Sequence, residues 1–169
     1  MENKGFLTLE EAKEQDYYCF EYREGVYVYE IKDKGYTLIE DGEVLIEGVD
    51  YVGWYEKGVY RYRMKGKGWK LIEGGKVLVE DVDWIHWFEK GVYRYKIEGK
   101  GYTLIEHGEV LIEGVDWVDW YEEGVYKYEI EGEGRTLVED GEVLIEGAEH
   151  IQWFEKGVYK YEISVNKNK

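Results

Sequence analysis

The sequence predicts an all-β repeat protein, most simply a five-bladed β-propeller, and three observations carry that prediction. The hexapeptide Phe88-Glu89-Lys90-Gly91-Val92-Tyr93 has near copies starting at Tyr22, Tyr55, Tyr121 and Phe154. Their glycines, Gly25, Gly58, Gly91, Gly124 and Gly157, stand 33 residues apart at every step, with no insertion or deletion. A constant step of this size marks a stacked or radial repeat architecture. The chain also holds 18 tyrosines, 7 tryptophans and no proline, a composition that favours strands.

The ladder divides the 169 residues into one domain: a degenerate segment 1–21, full repeats 22–54, 55–87, 88–120 and 121–153, a partial repeat 154–164 and a tail 165–169. In the unit beginning at Phe88, the run Val92-Tyr93-Arg94-Tyr95-Lys96-Ile97 places Tyr93, Tyr95 and Ile97 on one face at period two, which reads as a strand. Glu98-Gly99-Lys100-Gly101 follows as a turn, because glycine accepts positive φ without a steric penalty. Tyr102 to Glu106 and Val110 to Glu113 are two further strands, separated by His107-Gly108. In sister copies that dipeptide is Asp41-Gly42 or Asp140-Gly141, and Asp-Gly between alternating runs signals a two-residue hairpin. The aromatic run Val115-Asp116-Trp117-Val118-Asp119-Trp120-Tyr121 closes the unit as a fourth strand. Each unit is thus a four-stranded antiparallel meander, which must be covered by its neighbours to bury both faces.

The chain ends distinguish two architectures. The last copy stops after Val158-Tyr159-Lys160-Tyr161-Glu162-Ile163 and holds only half of the strands of a unit. Gly5-Phe6-Leu7-Thr8-Leu9 resembles Gly101-Tyr102-Thr103-Leu104-Ile105, so an N-terminal strand completing the last unit closes a five-bladed ring. The competing architecture is an open β-solenoid or extended repeat sheet. In that case Thr8 to Gln15 forms a short N-terminal capping helix, with Thr8 as N-cap and Glu11 as its capping-box partner.

The formal net charge is -16, from 38 acidic against 22 basic residues. Such a surface repels phosphate backbones, so nucleic acid is not an expected partner. Cys19 is the only cysteine, which excludes an intramolecular disulfide and makes a reducing, cytoplasmic compartment the expectation. Neither a signal peptide nor an apolar membrane span is expected, since no run is long and apolar enough. The expected state is a monomer.

The unit resembles the WG-repeat family of bacterial repeat proteins, whose repeats pair a Gly-Lys-Trp-Gly-Tyr core with a later Tyr-Asp and a Phe-Ser-Glu-Gly junction. The corresponding residues are Gly99-Lys100-Gly101-Tyr102, Val115-Asp116 and Tyr121-Glu122-Glu123-Gly124, preceded one unit earlier by Gly66-Lys67-Gly68-Trp69, Val82-Asp83 and Phe88-Glu89-Lys90-Gly91. The tryptophan before the second glycine and the family's prolines are absent. The resemblance implies an interaction scaffold with no single chemistry. The slip-free step, the lack of proline and the alternating Glu and Lys also match a consensus-designed repeat.

No catalytic constellation, metal site or cofactor is predicted. His107 replaces a turn aspartate. His86 and His150 fall on the aromatic strand and are read as pointing to opposite faces, so they form no ligand cluster; zinc motifs such as His-Glu-x-x-His are absent. The Gly-Lys-Gly turns join strands, whereas phosphate-cradling loops lead into a helix. Carboxylate pairs such as Asp116 and Asp119 recur too often in so acidic a chain to mark a glycosidase site. Cys19 aligns with Val52, Ile85, Val118 and Ile151 and is read as core.

Comparison among the copies separates fold from function. Trp54, Trp87, Trp120 and Trp153 never vary and are assigned to packing between units. The column Tyr51, Trp84, Trp117, His150 and the column Gly53, His86, Asp119, Gln152 vary. In a propeller the aromatic strand is innermost, so these eight residues line the channel mouth and are the candidate binding positions. The expected function is a non-enzymatic interaction module for a protein partner. Alternatives are a lectin-like module that stacks a glycan on exposed aromatics, an acidic mimic of a polyanion, and a designed scaffold with no natural function.

Overall fold

A computed structural model describes residues 18–23, 25–31 and 33–163, with side chains from residue 25 onward. Among the described residues, the chain forms 18 strands and no helix. The first sheet comprises β1 (Tyr18–Arg23), β2 (Val26–Ile31), β3 (Gly35–Glu40) and β4 (Glu43–Val49), in that order. The second holds β5 (Tyr51–Glu56), β6 (Val59–Arg63), β7 (Trp69–Glu73) and β8 (Lys76–Val82). The third holds β9 (Trp84–Glu89), β10 (Val92–Ile97), β11 (Gly101–Glu106) and β12 (Glu109–Val115). The fourth holds β13 (Trp117–Glu122), β14 (Val125–Ile130), β15 (Gly134–Glu139) and β16 (Glu142–Ala148), and the fifth β17 (His150–Glu155) and β18 (Val158–Glu162). The predicted antiparallel meander is therefore present in each four-stranded sheet.

Each sheet starts on the aromatic strand, so the sequence repeats 22–54 to 121–153 begin inside the first hairpin of a sheet. Val115 does not open the aromatic strand, as its alternation indicates; it ends β12 opposite Tyr102. The cause is local: Gly114 takes φ +75° and the register shifts between Tyr102 and Thr103, which bends the chain back onto β11. The break between sheets falls on Asp50, Asp83, Asp116 and Glu149.

The two-residue hairpins form as the Asp-Gly pattern predicts. Asp41 and Gly42 have φ of 49° and 86°, and His107 and Gly108 have 50° and 85°. Two successive positive φ values make a type I′ turn, whose twist matches that of the flanking strands. A different constraint acts at Gly101, where a Cβ would lie 2.6 Å from the Val115 carbonyl oxygen. Only glycine lets β11 begin so close to the end of β12.

The chain divides into two compact units, Met1–Ile85 and His86–Lys169, with the division inside β9. In the first unit, Val26, Val28, Leu38, Ile46, Val49, Val52 and Tyr60 form one core. In the second, Leu104, Val115, Val118, Tyr126 and Val138 form a core, and Val125, Leu137, Ile145, Ala148 and Ile151 form another. Burying a side chain such as Leu38 or Leu104 stabilises by about 1.5–3 kcal/mol.

A repeated carboxylate clamp adds polar connections between successive sheets of one unit. In the first unit, the Gly58 N–H donates to Glu40 Oε2 at 2.9 Å, and the Tyr60 hydroxyl donates to the same oxygen. In the second, Glu106 Oε1 accepts from Trp120 Nε1 at 2.8 Å and from the Gly124 N–H at 3.2 Å. Glu139 likewise accepts from the Gly157 N–H at 3.0 Å. Each carboxylate ends the third strand of one sheet and grips the first turn of the next, 18 residues on. The glycine carbonyl is used as well: Gly124 accepts from the Asp140 N–H at 2.8 Å. One hydrogen-bond pattern thus explains Glu40 with Gly58, Glu106 with Gly124 and Glu139 with Gly157.

Three expectations fall outside the described residues: the strand at Gly5 to Leu9, the helix at Thr8 to Gln15, and the side chain of Cys19. The Cys19 backbone lies in β1 opposite Tyr29. No helix of the described residues is long and apolar enough to cross a membrane.

Candidate functional site

The eight candidate residues lie at the start of the first strand of the second to fifth sheets, spaced by two so that both columns take the same face. His86 and His150 consequently do not point to opposite faces: His150 occupies the first column and His86 the second, two positions apart in the repeat, and period two keeps such positions on one side. Tyr51 is 42% exposed and Trp117 38%, while His150 and Gln152 are also exposed. Trp84, His86 and Asp119 are half-buried, and Gly53 is buried. The intervening Val52, Ile85, Val118 and Ile151 are all buried. The invariant Trp54, Trp87, Trp120 and Trp153 are half-buried.

The neighbouring strand explains why the second column varies. Its cross-strand partners include Arg61 opposite Gly53, Lys127 opposite Asp119, and Lys160 opposite Gln152. Sequence reading missed this cation column, although Arg61, Arg94, Lys127 and Lys160 recur at the ladder step, each between two tyrosines.

In the first unit, the absence of a side chain at Gly53 gives Arg61 room to lie down. A Cβ there would be 2.9 Å from Arg61 Nε. The guanidinium rests 4.9 Å from the Trp69 ring centre and donates to the Ile85 carbonyl at 3.3 Å. Tyr51 meets the same Trp69 edge-on at 5.1 Å, and Arg63 covers it at 5.1 Å.

In the second unit, Arg94 is only 7% exposed. Its Nη1 donates to Asp119 Oδ1 at 2.8 Å and to the Val118 carbonyl. The guanidinium lies 4.3 Å from the Trp117 ring centre and 5.4 Å from that of Phe88. Lys127 reaches the other Asp119 oxygen at 3.8 Å. Asp119 therefore compensates a desolvated cation, which would otherwise be costly to bury. Trp117 does two things: one part of its ring covers Arg94 and braces edge-on against Tyr102 at 5.2 Å, while another part remains open. At the last copy, Arg135 pairs with Glu129 at 3.0 Å and approaches His150 Nδ1 at 3.2 Å, and Gln152 stays exposed.

The perturbed titrations belong to the frame of the protein. Burial, with the hydrogen bond to Glu40 next, raises the Tyr60 hydroxyl well above its ordinary range. Burial also raises Tyr126. On the surface, the mutual hydrogen bond of Lys70 and Glu80 at 2.7 Å raises the amine and lowers the carboxyl. An open depression of about 460 Å³ on the fourth sheet is lined by Tyr128, Ile130, Glu133, Gly134, Thr136 and Glu146. Among the described residues, no group of three or more His, Cys, Asp or Glu is placed to hold a metal ion.

No protein-family model matches the chain, that of the WG repeats included, and no curated protein matches it. One similar solved structure is that of the computationally designed Ika8 protein, at 9% identity and a TM-score of 0.39 over 85% of this chain. The match spans 57% of the length of that protein.

Proposed function

We propose that the chain is a non-enzymatic β-repeat module that binds a protein partner through Tyr51, Trp117, His150 and Gln152. The observation that carries this reading is the division within the eight variable positions. These four are exposed on strands whose inward positions are filled, whereas Gly53 and Asp119 serve the Arg61 and Arg94 networks. A variable position that keeps an exposed surface beside its packing contacts can differ for recognition, and Tyr and Trp provide large contact area with little conformational entropy to lose.

The arrangement that goes with this reading is a five-bladed propeller closed by N- and C-terminal strands, with the aromatic strands innermost. It is supported by five sheets that each begin on an aromatic strand. A monomer in the cytoplasm fits the lone Cys19 and the self-repelling charge of -16. A glycan partner is the second reading, favoured by two exposed rings at one repeat position, Tyr51 and Trp117, each braced edge-on by another aromatic.

The test compares immobilised wild type with a Tyr51→Ser/Trp117→Ser/His150→Ser/Gln152→Ser variant of unchanged circular dichroism and Tm. A Val77→Ser/Val110→Ser variant, altered at exposed valines elsewhere, is the control. A protein captured by wild type and control but lost from the quadruple variant supports the reading. Equal capture by all three rejects it, and selective binding on a glycan array with no captured protein favours the second reading.

A further inference from the structure

The depression on the fourth sheet stands where the second sheet holds a lysine. Two ladder steps relate the copies: Lys70 corresponds to Thr136, Glu80 to Glu146 and Tyr62 to Tyr128. The registers agree, since Tyr62 opposes Lys70 as Tyr128 opposes Thr136, and Leu71 opposes Val79 as Leu137 opposes Ile145. In the second sheet the Lys70 ammonium donates to Glu80 Oε2 at 2.7 Å, and only 16% of the lysine side chain is exposed. Threonine reaches less far than lysine, and the fourth sheet has an open volume of about 460 Å³ with Tyr128, Glu133, Thr136 and Glu146 in its lining. Thr136 is 5% exposed, and among the described residues its hydroxyl makes no hydrogen bond. A buried polar group that lines the depression therefore lacks the partner such groups usually have. Charge is also reversed at one position, because Glu133 stands where the other copies hold Lys34, Lys67 and Lys100. The two basic residues between Trp117 and Ala148 are engaged elsewhere, Lys127 with Asp119 at 3.8 Å and Arg135 with Glu129 at 3.0 Å. No cation of their own sheet is left to balance Glu133 and Glu146.

We propose that this depression binds a primary alkylammonium group, of a free small amine or of a lysine side chain, in the place that Lys70 fills in the second sheet. An ammonium has three N–H donors and no acceptor, and the lining offers acceptors of the matching kind. Glu146 takes the part of Glu80, Glu133 adds a second carboxylate, and the Thr136 hydroxyl accepts a further N–H. The Tyr128 ring supplies an apolar wall for the alkyl stem and a π face for the charge. The volume is within the range of small-ligand sites. None of Tyr51, Trp117, His150 or Gln152 belongs to it, so the site stands whether or not those residues bind a partner.

Amide NMR titrations of the full chain at constant ionic strength test the site. The probes are cadaverine for a free amine, Nα-acetyl-lysine methylamide for a lysine side chain, and tetramethylammonium, which has the charge but no N–H donor. Saturable shifts at the Glu133, Thr136 and Glu146 amides are expected with a primary amine, and the tighter of the two amines identifies the source. Thr136→Lys and Glu133→Lys each install the residue of a sister copy, so both should keep the circular dichroism of wild type. The first gives Glu146 an ammonium of its own, and the second replaces a carboxylate by a cation. Each should weaken amine binding by about tenfold or more. No saturable shift with either amine, equal binding of tetramethylammonium, or unchanged affinity in either variant overturns the proposal. The comparison of probes on wild type decides the matter even if a variant does not fold.

Discussion

Breaking the Arg94–Asp119 pair tests whether a variable position serves the fold. Asp119→Ala leaves Arg94, 7% exposed, with the Val118 carbonyl and aromatic rings but without its carboxylate. At 2.8 Å and an effective dielectric constant of about 20, the Coulomb attraction is about 6 kcal/mol, much of it offset by desolvation. Removing one partner of a buried pair typically costs about 3–5 kcal/mol. Because the Asp119 side chain is about a third exposed and solvent screens it, we expect about 2–3 kcal/mol. Arg94→Met removes the charge and keeps a flexible apolar side chain among Phe88, Tyr102 and Trp117, so it should cost no more than about 1 kcal/mol. With Met at position 94, Asp119→Ala should add less than about 0.5 kcal/mol, giving a coupling of about 2 kcal/mol in the double-mutant cycle. Thermal unfolding followed by circular dichroism reads these as losses of about 2–4 °C per kcal/mol. Asp119→Ala within 0.5 kcal/mol of wild type, or a double variant as unstable as the sum of both single variants, would refute the reasoning.

Leu71, fully buried, should lose about 2–5 kcal/mol as Leu71→Ala, measured by urea unfolding. Two glycines with similar φ should respond differently. Gly101→Ala meets the Val115 carbonyl at 2.6 Å and should cost more than about 2 kcal/mol, whereas Gly99→Ala has no atom within 4 Å and should cost about 1 kcal/mol for its positive φ alone. Tyr60 stays protonated in the fold at a pH where the unfolded chain ionises, near 10. Its raised value therefore contributes stability that is fully present below pH 10 and is lost as pH rises through the folded value. Tyrosinate absorbance should show phenols resisting ionisation until alkaline unfolding, and Tyr60→Phe should lower that resistant amplitude by one phenol.

Most of the strand plan was legible because it rests on local chemistry. Alternation placed Val92 to Ile97 on β10, and the His107-Gly108 turn was readable because two positive φ values demand such residues. The break at Asp116 was harder to locate, since Val115 fits the alternation of both neighbouring strands and only the bend at Gly114 assigns it to β12. The candidate site was legible as two columns but not in its internal division. Whether Asp119 faces a partner or Arg94 depends on a pairing 25 residues away in sequence, which period and composition do not encode. The cation column was visible as a 33-residue recurrence, yet its aromatic cover becomes apparent only when β9, β10 and β13 are brought together.

Within each compact unit, a carboxylate that ends the third strand of one sheet ties it to the next by gripping a glycine amide, as Glu40 does Gly58, Glu106 does Gly124 and Glu139 does Gly157. Amide exchange at Gly124, read by NMR in wild type and in Glu106→Met, tests it most directly. The Gly124 N–H donates to Glu106, so it should exchange slowly in wild type and at least tenfold faster in the variant. The β14–β15 amides should be slowed or quickened far less. Equal exchange at Gly124 in both proteins would contradict the clamp.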